Sequence, residues 1–210
     1  AKNIIESSRD DVSDLLGLKE GTIIFTSGAS EAAALFLHNK KISCSAIEHD
    51  CVKMWCDVSI PVMKNGLVSL TEPENNQALQ IANSETGILQ KVPKGITCTD
   101  AVQAVGKIDC NFNEMRPQAL FLASHKVCGP KGAGILFVED ENLIEPTVLG
   151  GNQEFGLRAG TENFALIAAF SEALAYSFNL VKNGVWQEIE VLRNMLENEV
   201  KEISKSSITV

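Results

Sequence analysis

One unit constrains this chain more than any other: a strand, a turn of small residues and a helix in direct succession. Thr22-Ile23-Ile24-Phe25-Thr26 is a β-branched and aromatic run, the side-chain set that fits a pleated, buried surface. Ser27-Gly28-Ala29-Ser30 follows as a turn, and Glu31-Ala32-Ala33-Ala34-Leu35-Phe36-Leu37 is a strong helix former. Strand, small-residue turn and helix together open an α/β unit. The unit then recurs. Residues 41–44 read as a strand, 50–56 as a short helix, 58–62 and 77–82 as strands, and 95–99 as a run leading to Asp100. Ala119-Leu120-Phe121-Leu122-Ala123 is apolar at every position, as a strand covered on both faces must be. Gly134-Ile135-Leu136-Phe137-Val138 is a further strand after a glycine-rich turn.

Helical periodicity marks residues 4–16, stopped by Gly17, and residues 161–178 and 185–203. Between Asn83 and Ile96 there is little room for a crossover helix, and Pro93 and Gly95 oppose one, so that connection reads as an irregular loop. The expected fold class is α/β, a three-layer, mostly parallel sheet between helices. In the final helix the stripe Leu192, Met195 and Leu196 is expected to pack in the core or on a further domain.

Charge narrows the function. A formal charge of −9, with 45% apolar and 21% charged residues, gives no positive footprint for nucleic acid and none for an anionic membrane surface. No stretch reads as a membrane-spanning helix, and Ala1-Lys2-Asn3-Ile4 lacks the basic segment and apolar run of a secretory signal. The six cysteines have no repeated spacing and read as thiols of a reducing compartment, with the cytoplasm the expected location. Cys44, His49, Cys51 and Cys56 do not have the spacing of a zinc ribbon or finger, so no metal is expected.

In parallel α/β sheets ligands sit beyond the carboxyl ends of the strands. Just after the expected strands come Ser27-Gly28-Ala29-Ser30, Glu48-His49, Asn83-Ser84-Glu85-Thr86-Gly87, Asp100-Ala101-Val102-Gln103 and Ser124-His125-Lys126. A lysine can form a Schiff base with an aldehyde cofactor. An aspartate can keep a pyridine nitrogen protonated. A helix N-terminus can hold a phosphate, and an imidazole can stack on a ring or move protons. Taken singly these residues have plainer readings. Lys126 would be a surface lysine, Asp100 and Ser30 helix N-caps, and His49 a core histidine.

The motifs, in order, resemble those of the cysteine desulfurases, pyridoxal-phosphate (PLP) enzymes of the class V aminotransferase group. Phe25-Thr26-Ser27-Gly28-Ala29-Ser30-Glu31-Ala32 resembles their phosphate-binding motif, and Glu48-His49 the site of their ring-stacking histidine. Asn83-Ser84-Glu85-Thr86-Gly87 is similar to their Asn-x-Glu-x-Gly loop, and Asp100 to Lys107 to their Asp-Ala-x-Gln-x-x-Gly-Lys segment. Ser124-His125-Lys126 with Gly129-Pro130-Lys131-Gly132 resembles the Schiff-base site. Gly150-Gly151-Asn152-Gln153-Glu154 with Arg158-Ala159-Gly160-Thr161-Glu162-Asn163 resembles the loop that reaches a partner subunit's cofactor.

The resemblance implies a seven-stranded fold-type I sheet and a set of roles. Lys126 would hold pyridoxal 5'-phosphate and carry protons. Asp100 would pair with the pyridine nitrogen, Gln103 with the phenolic oxygen, and His49 would stack on the ring and act as acid or base. Ala29, Ser30 and His125 would hold the phosphate, with Thr161 joining from the other subunit of a homodimer. Asn83 would face the substrate carboxylate. Residues 1–182 would form the PLP-binding large domain, with 1–20 its N-terminal helix region, and 183–210 a helix leading towards a small domain. L-cysteine would be the substrate, converted to L-alanine, with persulfide sulfur passed to an acceptor or scaffold protein for iron–sulfur clusters or tRNA thiolation. A selenocysteine lyase or small-substrate aminotransferase would share these residues, and a non-catalytic scaffold domain would keep only the fold.

Two parts of the family pattern lie outside these residues: a Leu-Asp-Asn-Ala-type segment, and the loop with the nucleophilic cysteine and substrate-binding arginine. Cys128 follows the lysine too closely to serve as that nucleophile. Ala123 stands where the family often has a phosphate-binding serine, with Ser124 the neighbouring hydroxyl available to substitute. The isolated chain is therefore expected to be inactive.

Overall fold

A computed structural model describes residues 1–18, 20–70 and 76–204. The strands are β1 (Thr22–Thr26), β2 (Ser43–Ser45), β3 (Asp57–Ile60), β4 (Cys98–Asp100), β5 (Ala119–Ala123) and β6 (Gly134–Val138). The helices are α1 (Lys2–Leu16), α2 (Ala29–Leu37), α3 (Asp50–Lys53), α4 (Phe112–Met115), α5 (Phe164–Lys182) and α6 (Val185–Ser204). One sheet has the order β1-β6-β5-β4, and a second pairs β2 with β3 in parallel. Residues 77–82, expected as a strand, form no regular strand but bridge the two sheets. Gln77 pairs in parallel with Ser43 and Ala78 with Cys98. The Ala78 N–H donates to Ser43 O, and those of Leu79 and Ile81 donate to Cys98 O and Asp100 O. With that segment in place the strand positions run β3, β2, 77–82, β4, β5, β6, β1.

The sheet is parallel from β3 to β5, while β6 runs antiparallel to both β5 and β1. Side chains alternate between two cores, as the two-residue pleat requires. Ile23 and Phe25, Leu120 and Leu122, and Ile135 and Phe137 point into a core shared with Ile5, Val12 and Leu16 of α1 and Ile167, Phe170 and Leu174 of α5. Ile24, Phe121, Leu136 and Val138 point the other way, onto Ala32, Ala33, Leu35 and Phe36 of α2. Helices therefore cover both faces, and the carboxyl ends of β4 and β5 are left open for a site.

Several local expectations change. The first long helix ends at Gly17, whose left-handed φ of 68° lets its N–H and that of Leu18 fold back onto Asp14 O and Ser13 O. α2 begins at Ala29, so Gly28 is its N-cap, and Ser30 lies inside the first turn and caps nothing. The helix expected over 50–56 is shorter, Asp50–Lys53. α5 starts at Phe164, where the Asn163 side chain caps it by accepting the Leu166 N–H at 3.2 Å. Contrary to the sequence expectation, α5 is long and apolar enough to cross a membrane by length and composition. Its buried side, Ile167, Phe170 and Leu174, packs into the core. The α6 stripe is not core: Leu192, Met195 and Leu196 are 60–65% exposed, because α6 is held at its start, where Trp186 Nε1 donates to Gly106 O at 2.9 Å.

Candidate active site

A cleft of about 690 Å³ opens beyond the carboxyl ends of β4 and β5. Its lining combines the turn before α2 (Gly28, Ala29, Ser30), the β2–α3 turn (His49, Cys51), the end of β4 with Val102 and Gln103, and His125 and Lys126 after β5. Seven of the nine expected site residues thus meet in one space: Lys126, His49, Asp100, Gln103, Ala29, Ser30 and His125.

Two do not line it. Asn83 is buried, and its side chain is committed to its own loop and to the neighbouring Ile47. Oδ1 accepts the Glu85 and Thr86 N–H groups at 2.9 Å, and Nδ2 donates to Ile47 O at 2.9 Å. Thr161 is exposed and borders a separate 90 Å³ hollow beside Glu154 and Arg158. Ser124 is no substitute for a phosphate hydroxyl either. It is fully buried, its Oγ has no partner, and it faces Gly129, where an added Cβ would lie 2.2 Å from that oxygen.

The phosphate-binding expectation can be tested against the helix start. No side chain caps α2, and the position of its N-cap, Gly28, is open to added volume. The one acid of the first turn, Glu31, also lines the cleft but is paired. Its Oε2 accepts the Ser27 N–H at 2.6 Å, and Arg158 binds it through Nε at 2.7 Å and Nη2 at 3.3 Å. That pairing holds the Glu31 carboxyl below its usual range despite the opposing effect of burial. An uncapped helix N-terminus with its own acid neutralised suits an anion. Lys126, Lys131 and His125 line the same cleft. Burial first, and then those two lysines, push the His125 imidazole below its ordinary value.

Asp100 is half-buried, and its Oδ1 accepts the Val102 N–H at 2.8 Å. Burial raises its carboxyl, opposed by that N–H and by His49. Beneath it Glu48 is 2% exposed, with Oε1 accepting the Gln80 N–H at 2.8 Å and Oε2 unpartnered. Burial lifts Glu48 to about 8, so it is neutral at pH 7 and a Glu48 charge does not compete with Asp100. Gln103 Oε1 accepts Lys107 Nζ at 3.3 Å. These groups fit a pyridine-bearing phosphate ester: an acid for the ring nitrogen, an amine for the carbonyl, an imidazole for the face and a helix start for the phosphate.

Two titratable residues of the lining or its support were not read as part of the site. Glu48 entered only as the neighbour of His49, and Cys51 only as a metal ligand of the wrong spacing. No local signal separates a buried acid or a cleft thiol from their surface counterparts. Among the described residues no group of three or more His, Cys, Asp and Glu is placed to hold a metal ion. Cys128 is exposed and is not in the lining.

The chain matches the family model described as aminotransferase class-V over residues 1–210. It is 36% identical over 197 residues to a probable mitochondrial cysteine desulfurase of Dictyostelium discoideum, covering 77% of this chain and 44% of that protein. Its fold is similar to that of a NifS-like protein from Rickettsia africae, with a TM-score of 0.87 at 28% identity over 96% of this chain and 64% of the other. It is also similar to SspA in complex with cysteine, with a TM-score of 0.70 at 32% identity over 83% of this chain and 60% of the other. The chain spans about half the length of the curated relatives it matches.

Proposed function

We propose, from the premise that this chain belongs to the class-V aminotransferase family, that it is the cofactor-binding part of a PLP-dependent cysteine desulfurase. One observation carries the reading: Lys126, Asp100, His49 and the uncapped start of α2 converge on a single cleft. When bound there, PLP would supply an electron sink for carbanion character at the substrate's α-carbon. The residues do the rest. Lys126 Nζ would anchor the cofactor covalently and afterwards hold the proton removed from the α-carbon. Asp100, the acid whose charge is not shared with neutral Glu48, would keep a pyridinium proton in place. Gly28, Ala29 and Ser30 would offer N–H groups, and Ser30 a hydroxyl, to the phosphate. His49 would cover the ring.

L-cysteine is the proposed substrate, in keeping with the cysteine complex among the similar structures. The sulfur would pass to an acceptor or scaffold protein, for iron–sulfur clusters or tRNA thiolation. Cys51 is the one cysteine in the lining, and burial with the nearby Asp100 pushes its thiol up to about 12. The thiolate that would attack the substrate sulfur is therefore not supplied by the described part of the cleft. Thr161, exposed and outside its own cleft, would serve a second copy in a homodimer. Six free thiols suit a reducing compartment, the cytoplasm in this reading.

The test is an absorbance spectrum of the protein with PLP beside Lys126→Ala. The reading expects a visible band that borohydride removes and that the variant lacks. A band that persists in the variant refutes the assignment of Lys126.

A further inference from the structure

His49 is the N-cap of α3, and it caps with its own ring: Nδ1 accepts the Cys51 N–H at 3.2 Å. The Cys51 Sγ lies 3.1 Å from the same nitrogen. A backbone amide can only donate. Nδ1 therefore presents its lone pair, and the proton of the neutral ring sits on Nε2. With that lone pair facing the sulfur, Sγ can meet Nδ1 only as an S–H donor. The thiol keeps the proton this needs, since burial and Asp100 disfavour the thiolate and outweigh the Ser30 hydroxyl, which favours it.

The loop that carries His49 is clamped from behind. Glu48 accepts the Gln80 N–H, and Ile47 O accepts from both Gln80 Nε2 and Asn83 Nδ2. The imidazole is thus held at its backbone by residues 80–83 and at Nδ1 by Cys51. Only Nε2 remains to address the cleft that His49 lines.

We infer that Cys51 is a positioning residue that fixes His49 as the Nε2–H tautomer, so that the imidazole turns a hydrogen-bond donor to the cleft. Its significance for catalysis rests on the cleft being the cofactor site. His49 then donates a hydrogen bond from Nε2 to an acceptor oxygen, and as a neutral ring it keeps that proton, because losing it would leave an imidazolate.

The tautomer can be read without cofactor or activity. The chain has three histidines, His38, His49 and His125, so long-range ¹H–¹⁵N spectra of the imidazoles are assignable with one His49→Gln control. At about pH 8.5, two units above the ordinary imidazole value of ~6.5, the wild type and Cys51→Ser should show Nε2–H as the dominant form. Cys51→Ala keeps the backbone donor and loses the thiol, so the tautomer ratio should fall about two- to fivefold. The His38 and His125 signals report whether each variant is folded. A dominant Nδ1–H form in the wild type overturns the proposal, as does an unchanged ratio in Cys51→Ala. Because the spectra need no PLP, failure of cofactor binding and failure of this inference give different results.

Discussion

Removing the carboxylate of Glu154 should be among the most damaging single changes in this fold. The Glu154 side chain is 1% exposed and that of Arg9 11%. Glu154 Oε2 accepts Arg9 Nη1 at 2.8 Å and the Phe25 N–H at 2.9 Å, and Oε1 accepts Arg9 Nη2 at 3.3 Å. The guanidinium is stacked between the rings of Phe25 and Phe155, 4.9 and 4.8 Å from their centroids, and also donates to Ile23 O. Glu154 and Phe155 hold left-handed φ angles of 45° and 60°, a conformation that side chains other than glycine adopt at a cost. The loop persists in that shape because α1 and β1 grip it through this carboxylate.

Glu154→Ala strands the Phe25 N–H inside β1, at about 1–3 kcal/mol for a buried donor left unmade. It also leaves the largely buried Arg9 guanidinium with only the half-exposed Glu6 carboxylate, 3.2 Å from its Nε, and breaking one side of a buried pair costs about 3–5 kcal/mol at most. One carboxylate makes both contacts, so the two figures overlap, and with Glu6 still beside Arg9 the expected loss is about 2–4 kcal/mol in all. Glu154→Gln keeps one acceptor oxygen and should lose about 1–3 kcal/mol. Urea unfolding followed by Trp55 and Trp186 fluorescence measures both through the midpoint at constant slope. A loss below about 1 kcal/mol for Glu154→Ala would refute the claim that this pair closes the fold.

Glu48 predicts a pH signature. Its folded-state value, about 8, stands above the ordinary value of 4.5, so its contribution is full below pH 4.5 and is lost as pH rises through 8. Wild type should therefore lose stability relative to Glu48→Gln across that window by at most ~1.4 kcal/mol per pH unit; parallel profiles in urea unfolding would sink the assignment. Gly134→Ala would place a Cβ 2.5 Å from the Gly28 backbone and 2.8 Å from Leu122 O, so it should destabilise by about 1–3 kcal/mol and weaken PLP binding by displacing the turn before α2. Retention of wild-type stability and PLP affinity would show that this contact is not tight. The 210-residue chain with PLP should form no alanine from L-cysteine, for want of a thiolate in the cleft; measurable alanine would overturn that.

Much of the site was readable because the residues that make it sit at strand ends, where a short run of sequence contains both strand and ligand. β5 is apolar at every position, and Lys126 follows three residues later. The turn before α2 is legible for the same reason. Position within a turn was harder to read. Ser30 has the composition of an N-cap, yet α2 begins at Ala29, so the cap position falls to Gly28, which has no side chain to fill it. Asn83 sits in a polar loop that reads as part of the site, but its amide is consumed in shaping that loop and in tying it to Ile47.

By itself the sequence determined the alternation of strands and helices, the two faces of each buried strand and the order of the chemical groups. These follow from side-chain shape and from periods of two and 3.6 residues, which are local. It did not determine that β6 runs antiparallel. A strand buried on both faces carries no mark of direction, and only its pairing with β1 and β5 sets one. Nor did it determine which acid is neutral, which nitrogen of His49 faces the cleft or which lining cysteine keeps its proton. Those depend on burial and on distances between residues far apart in the chain, such as Glu48 and Gln80, which only the packed tertiary structure brings together.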